Sequence, residues 1–169
     1  MPHVYQAWNS AMATTAAQAS VTTGTTIKTM LQLATPSTRK ITVISWGWSS
    51  DDPPGADGVI ELIQTDVAAT VTAHVAAGVQ PLDPGSPASL LTLGTSATGF
   101  TASAEGTPAS TRAFDVVSLS SVSGESPLLY TYQFMPDERP VLAVSSFLRV
   151  RATTPTTAID LRCWICWME

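Results

Sequence analysis

The sequence predicts an all-β chain, an antiparallel β-sandwich of the jelly-roll kind with an extended N-terminal arm. Composition points there first. Of 169 residues, 24 are Thr and 18 are Ser, only 12% are charged, and 12 Pro and 10 Gly punctuate the chain, a usage that favours strands and turns over helices. Short segments with a period of two recur between these breakers. The last stretch, residues 147–169, reads as two strands around a Thr-Thr-Pro-Thr-Thr turn.

Residues 1–24 are rich in Ala, Thr, Ser and Gln and keep neither a helical nor a strand period. They are expected to form an arm. Tyr5 and Trp8 are costly to leave in water, so an arm that carries them is expected to dock on something. From residue 25 to 169 the chain reads as one domain, which this length supports without staples.

Within that domain Ile27, Thr29, Leu31 and Leu33 alternate with Lys28, Met30 and Gln32, the signal of a half-buried strand. Residues 34–39 turn the chain. The next strand, 40–48, is expected to place Thr42, Ile44, Trp46 and Trp48 on one face. A Pro-Pro-Gly loop over 49–57 then breaks any ladder. Residues 59–65 form a third, mostly apolar strand. Residues 66–77 fit helix or strand by period, and their β-branched residues favour strand. A Pro/Gly loop (78–89) and a short apolar run at Leu90, Leu91 and Leu93 follow. Further strands are expected at 99–104, 113–119 and 128–134, with loops at 120–126 and 135–140, and residues 141–152 lead into the closing hairpin of strands 147–152 and 159–167. In the closing hairpin Arg149 and Arg151 share one face of a strand, with Leu148, Val150 and Ala152 on the other. The total is about eight strands, enough for a sandwich of two sheets.

Net charge is −5 and the eight basic residues are scattered, so no stripe exists to track a phosphate backbone and nucleic acid is not an expected partner. The N-terminus lacks a basic signal-peptide region, and no apolar run reaches membrane-spanning length. A soluble chain with no membrane association is the expectation.

Possible chemical motifs are few. Cys163-Trp-Ile-Cys166 has the spacing of a redox pair or half a zinc site, but within a strand positions i and i+3 point to opposite faces, which predicts two structural thiols. Of the two histidines, a nucleophile-base set would have to use His74, and no nucleophile-elbow pattern surrounds it. Asp51, Asp52 and Asp57 share a loop whose spacing does not match a calcium-binding loop. No catalytic, metal or cofactor residue is predicted, and no enzyme activity. Trp46 and Trp48 suggest either core packing or a stacking platform for a sugar ring. Candidate partner-binding residues are Tyr5 and Trp8 on the arm, and Arg149 and Arg151, which need acidic partners from Asp137, Glu138, Asp160 or a neighbouring chain.

Four segments carry a resemblance: Thr25-Thr-Ile-Lys-Thr-Met-Leu-Gln-Leu-Ala-Thr-Pro-Ser-Thr-Arg39, Ile44-Ser-Trp-Gly-Trp48, Ala102-Ser-Ala-Glu-Gly-Thr107 and Phe147-Leu-Arg-Val-Arg-Ala152. They resemble small structural proteins of tailed bacteriophages that infect actinobacteria, and the similarity runs over most of the chain. The resemblance implies a virion protein that decorates or cements the capsid: a compact β domain, commonly a homotrimer, on the outer surface of the head, clamping neighbouring copies of the major capsid protein. The alternative within that group is a tail or fibre module that binds cell-surface glycan through Trp46 and Trp48.

Overall fold

The computed structural model describes residues 2–12, 15–109, 111–122 and 128–169. Its strands are β1 (Val4–Trp8), β2 (Val21–Thr22), β3 (Ile27–Ala34), β4 (Ile41–Ser50), β5 (Gly58–Thr65), β6 (Thr70–Ala73), β7 (Val79–Pro81), β8 (Gly99–Ala104), β9 (Thr111–Leu119), β10 (Leu129–Gln133), β11 (Val141–Leu142), β12 (Phe147–Thr153) and β13 (Asp160–Met168). A 3-10 turn spans Ala76–Gly78.

These strands make two antiparallel sheets. Sheet A runs β10-β4-β13-β1-β7, with β11 beside β4 and β2 beside β13; sheet B runs β6-β8-β3-β12-β5-β9. Taking the eight principal strands in chain order, β1, β3, β4, β5, β9, β10, β12 and β13, the sheets read 1-8-3-6 and 2-7-4-5. That is the jelly-roll connection, in which successive strands cross between layers except from β5 to β9, which pair within sheet B. The core lies between the layers, with Trp46, Trp48, Ile165 and Trp167 from sheet A meeting Leu31, Leu33, Ile60, Leu62, Leu148 and Val150 from sheet B. Each buried aromatic removes roughly 150–250 Å² from water, worth about 4–6 kcal/mol before conformational entropy is subtracted.

Two β-bulges decide which residues reach this core. Cys166 pairs with Ser45 but Trp167 pairs with Val43, so Ile44 is an extra residue on β4. The phase of the strand changes there. Ile41 and Val43 before the bulge and Trp46 and Trp48 after it all belong to the core, which corrects the expected face of Thr42, Ile44, Trp46 and Trp48. On β3, Leu31 pairs with Val150 and Thr29 with Arg151, leaving Met30 extra. Thr29 is thereby turned away from Leu31 and Leu33, to the outer face.

Within the region expected as an N-terminal arm over residues 1–24, β1 and β2 join sheet A. β1 lies between β13 and β7, and Asn9 continues its ladder with side-chain atoms: Nδ2 donates to the Leu161 carbonyl and Oδ1 accepts from the Cys163 N–H, both at 2.9 Å. Residues 66–77, expected as strand, are strand only over β6. The run at Leu90, Leu91 and Leu93 makes isolated bridges through Thr92 and Leu93.

Residues 66–109 belong to an insertion between β5 and β9. Its strand β7 extends sheet A beside β1, and β8 with β6 extends sheet B beside β3. One side of the sandwich is closed by this segment.

Gly47 shows how tightly sheet A is packed. A Cβ there would stand 2.7 Å from the Tyr130 carbonyl oxygen and 2.9 Å from the Trp164 ring, so something must shift. Gly47→Ala is expected to destabilise the fold by about 1–3 kcal/mol, read as a lower urea midpoint with unchanged slope.

Candidate functional site

The residues expected to bind a partner are distributed between the interior and the surface. Tyr5 is buried, stacks on Trp167 with ring centroids 6.0 Å apart, and donates its hydroxyl to the Pro87 carbonyl at 3.0 Å. Trp8 is half-buried and pairs with Trp164 at 6.3 Å on the outer face of sheet A. Arg149 is 0% exposed. Arg151 is half-buried and paired with Glu61 at 2.6 Å. Tyr5 and Arg149 thus have no accessible surface to offer a neighbour, and the acids that serve the arginines are Glu105 and Glu61, not Asp137, Glu138 or Asp160.

Arg149 is the centre of a polar layer on the outer face of sheet B. Its Nη1 donates to the Glu105 carbonyl at 3.0 Å and lies 3.3 Å from the Glu105 carboxylate, while Nη2 donates to the Val67 carbonyl. Burial pulls the guanidinium pKa down and the Glu105 carboxylate pushes it back up. Glu105 also accepts from the Thr29 N–H at 2.5 Å and the Thr29 hydroxyl at 2.6 Å. Beside it the buried Gln32 amide donates to the Ala97 carbonyl at 2.6 Å and accepts from the Ala69 N–H at 2.8 Å. This layer fastens the insertion to the sheet.

A second polar cluster lies where β9 of sheet B faces β10 of sheet A. Asp115 Oδ2 accepts from Trp46 Nε1 at 3.0 Å and from the Tyr130 hydroxyl at 2.7 Å. Tyr130, desolvated by burial and facing that carboxylate, has its pKa pushed up to about 12. It stays a neutral donor at any ordinary pH. Tyr130 also stacks on Trp48 at 6.1 Å. Trp46 and Trp48 are 0% and 1% exposed, so neither presents a ring face to a sugar, and the stacking-platform reading of this pair is corrected to core packing.

The two histidines sit in different surroundings. His74, buried at the end of β6, sits 2.7 Å through Nε2 from the Trp8 carbonyl and 4.8 Å from the Phe100 ring centroid. It ties sheet B to β1. His3 is the one near a hydroxyl, with Nδ1 2.9 Å from Ser86 Oγ in an open pocket that Asp83 also lines. The Asp83 carboxylate accepts from the Gly85 N–H instead, and the Ser86 N–H donates to the Asp83 carbonyl. Among the described residues, Asp83 is thus not bonded to His3, and the Gly85 and Ser86 N–H groups, which could serve an oxyanion, are already engaged. No sequence signal joined His3 to Ser86, which stand 83 residues apart.

Cys163 and Cys166 are unbonded and buried. Cys163 belongs to the inter-sheet core and Cys166 lies on the opposite face with Ser45 and Arg139. Burial raises both thiol pKa values, which suppresses the reactive thiolate. Asp51 pairs with Arg162 and Asp57 accepts from Ser121. Among the described residues no group of three or more His, Cys, Asp or Glu is placed to hold a metal.

No family model, curated protein or solved structure matches the chain.

Two outcomes test these assignments. Arg149→Ala leaves Glu105 and two carbonyls without their buried cation, and is expected to cost about 3–5 kcal/mol, measured by urea denaturation at neutral pH. For His74, burial lowers the folded-state pKa below its ordinary value, so the unfolded chain binds the proton more readily. Its contribution to stability is complete above about pH 6.5 and is lost as pH falls toward the folded pKa. Urea midpoints from pH 8 to pH 5 should fall over that interval, and His74→Asn should flatten that part of the slope.

Proposed function

We propose that this chain is a non-enzymatic virion protein, a capsid decoration protein that binds the outer face of a bacteriophage head and bridges major capsid subunits. One observation carries the reading: the polar side chains that would draw attention as a reactive centre are committed to structure. Arg149 and Glu105 hold the insertion, Asp115 ties the two sheets together through Trp46 and Tyr130, and His74 anchors β1. A chain built this way works through its surface. The jelly roll also hosts viral capsid and lectin domains, an analogy at the level of fold alone. The net charge of −5 suits a position outside the shell, away from packaged DNA. Bridging would stabilise the head by linkage, because a protein that binds only the assembled lattice adds its binding free energy to it.

Purified heads lacking the chain, mixed with excess protein, should take it up in a saturable manner and release their DNA at a higher temperature. Co-sedimentation and a DNA-dye melt read the two effects. Absence of uptake, or uptake with no rise in release temperature, would sink the proposal.

A further inference from the structure

His74 stands at a joint between the two sheets. It follows β6 of sheet B, and its Nε2 lies 2.7 Å from the carbonyl oxygen of Trp8 in β1 of sheet A. That carbonyl comes one residue after Ala7, the last residue of β1 to pair with β7. The imidazole supplies a donor where the short β7 gives out.

This bond fixes the tautomer. A carbonyl only accepts, so Nε2 carries the proton and Nδ1 keeps its lone pair. Nδ1 faces Gly78, where a Cβ would stand 2.5 Å from it. Among the described residues, the Trp8 carbonyl is the only hydrogen-bond partner of the ring, so a second proton, on Nδ1, meets no acceptor in the chain. No charge lies close to offset it either. Strands β1, β6, β7 and β8, the 3-10 turn and the loop 92–98, whose Thr98 carbonyl accepts from the His74 N–H, carry no charged side chain. Tyr5 is their one titratable group, and its hydroxyl donates to the Pro87 carbonyl. An imidazolium at this place is a buried cation without a partner, which is costly to keep.

The cover over the ring is thin. His74 itself is 4% exposed, but Val75 beside it is 64% exposed and Ala76 and Ala77 are exposed too. One backbone bond closes the turn, from the Gly78 N–H to the Val75 carbonyl at 2.9 Å. A cavity of about 40 Å³ lies against it, lined by Ala76, Val79 and Leu91. β7 continues directly from the turn and meets β1 over three pairs. Lifting residues 75–81 therefore hydrates the ring while β3, β12, β4 and β13 keep their partners.

We infer that His74 is an acid-operated latch: neutral, it holds residues 75–81 against β1; protonated, it releases them and bares the edge of β1 in sheet A. The inference is independent of the virion reading. Burial lowers the folded-state pKa of His74, so release begins as pH falls below about 6.5 and levels off below the folded value.

Hydrogen-exchange protection factors, which remove the intrinsic pH dependence of exchange, test this on the full chain from pH 7.5 to pH 5. Amides of residues 5–7 and 78–82 should lose protection by about tenfold per pH unit between about pH 6.5 and the folded pKa. Amides of residues 29–33 and 148–152 should stay better protected than these at every pH, as a local opening requires. His74→Gln keeps a donor for the Trp8 carbonyl without titrating there, and should hold the protection constant. His3→Gln removes the other histidine, at the far end of β1, and should leave the wild-type response intact. Gly78→Ala puts a methyl group against Nδ1 and should show at pH 7.5 the low protection that the wild type reaches at pH 5. Wild-type protection independent of pH, exchange of both sets of amides at one common level, a response that survives His74→Gln or vanishes in His3→Gln, or full protection in Gly78→Ala at pH 7.5 would each overturn the inference.

Discussion

Burying the guanidinium of Arg149 is the constraint around which the outer layer of sheet B is arranged. A cation taken out of water costs several kcal/mol unless most of its donors and its charge are matched. Here the match comes from the two ends of one segment: Val67 near its start and Glu105 near its end. The insertion is thereby closed into a loop on the sheet face. With both ends fixed, the intervening strands are held where β8 meets β3 and β7 meets β1. One side chain thus anchors both ends of the segment that closes this side of the sandwich.

That arrangement separates the molecule into a finished side and an unfinished one. The finished side consumes polar groups, as Gln32, Thr29, Glu105 and His74 each satisfy backbone or side-chain partners across segments distant in sequence. The unfinished side exposes the strand edges of β9 and β10 and the apolar side chains Val116, Leu129 and Tyr132.

Much of the fold was legible because alternation with a period of two survives in single strands. The strands around Lys28, Glu61, Thr101, Val116 and Arg149 all stand close to where their patterns put them. Bulges were hidden, since an extra residue such as Ile44 or Met30 resets the phase without any compositional mark. β2 and β7, at two and three residues, are too short to show a period. The arginine pair was visible on one face of β12, but its acids lie 44 and 90 residues away, and only the topology brings them near. Tyr5 and Trp8 were rightly costly to expose; what the sequence concealed was that their docking surface is the same chain, supplied by Trp167, Trp164 and the β13 ladder.

The position of β13 has a consequence for biosynthesis. It follows the other strands of the sandwich in sequence, yet it lies at the middle of sheet A, joining β4 on one side to β1 on the other. Before it arrives, the β10-β4 and β1-β7 portions have no common neighbour, and Trp46, Trp48 and Tyr5 lack much of the cover that Cys163, Ile165 and Trp167 provide. Chains emerge from the ribosome N-terminus first, so sheet A cannot close until Met168 has cleared the exit tunnel. Until then Tyr5, Trp46 and Trp48 go without the cover that β13 gives them in the finished sheet.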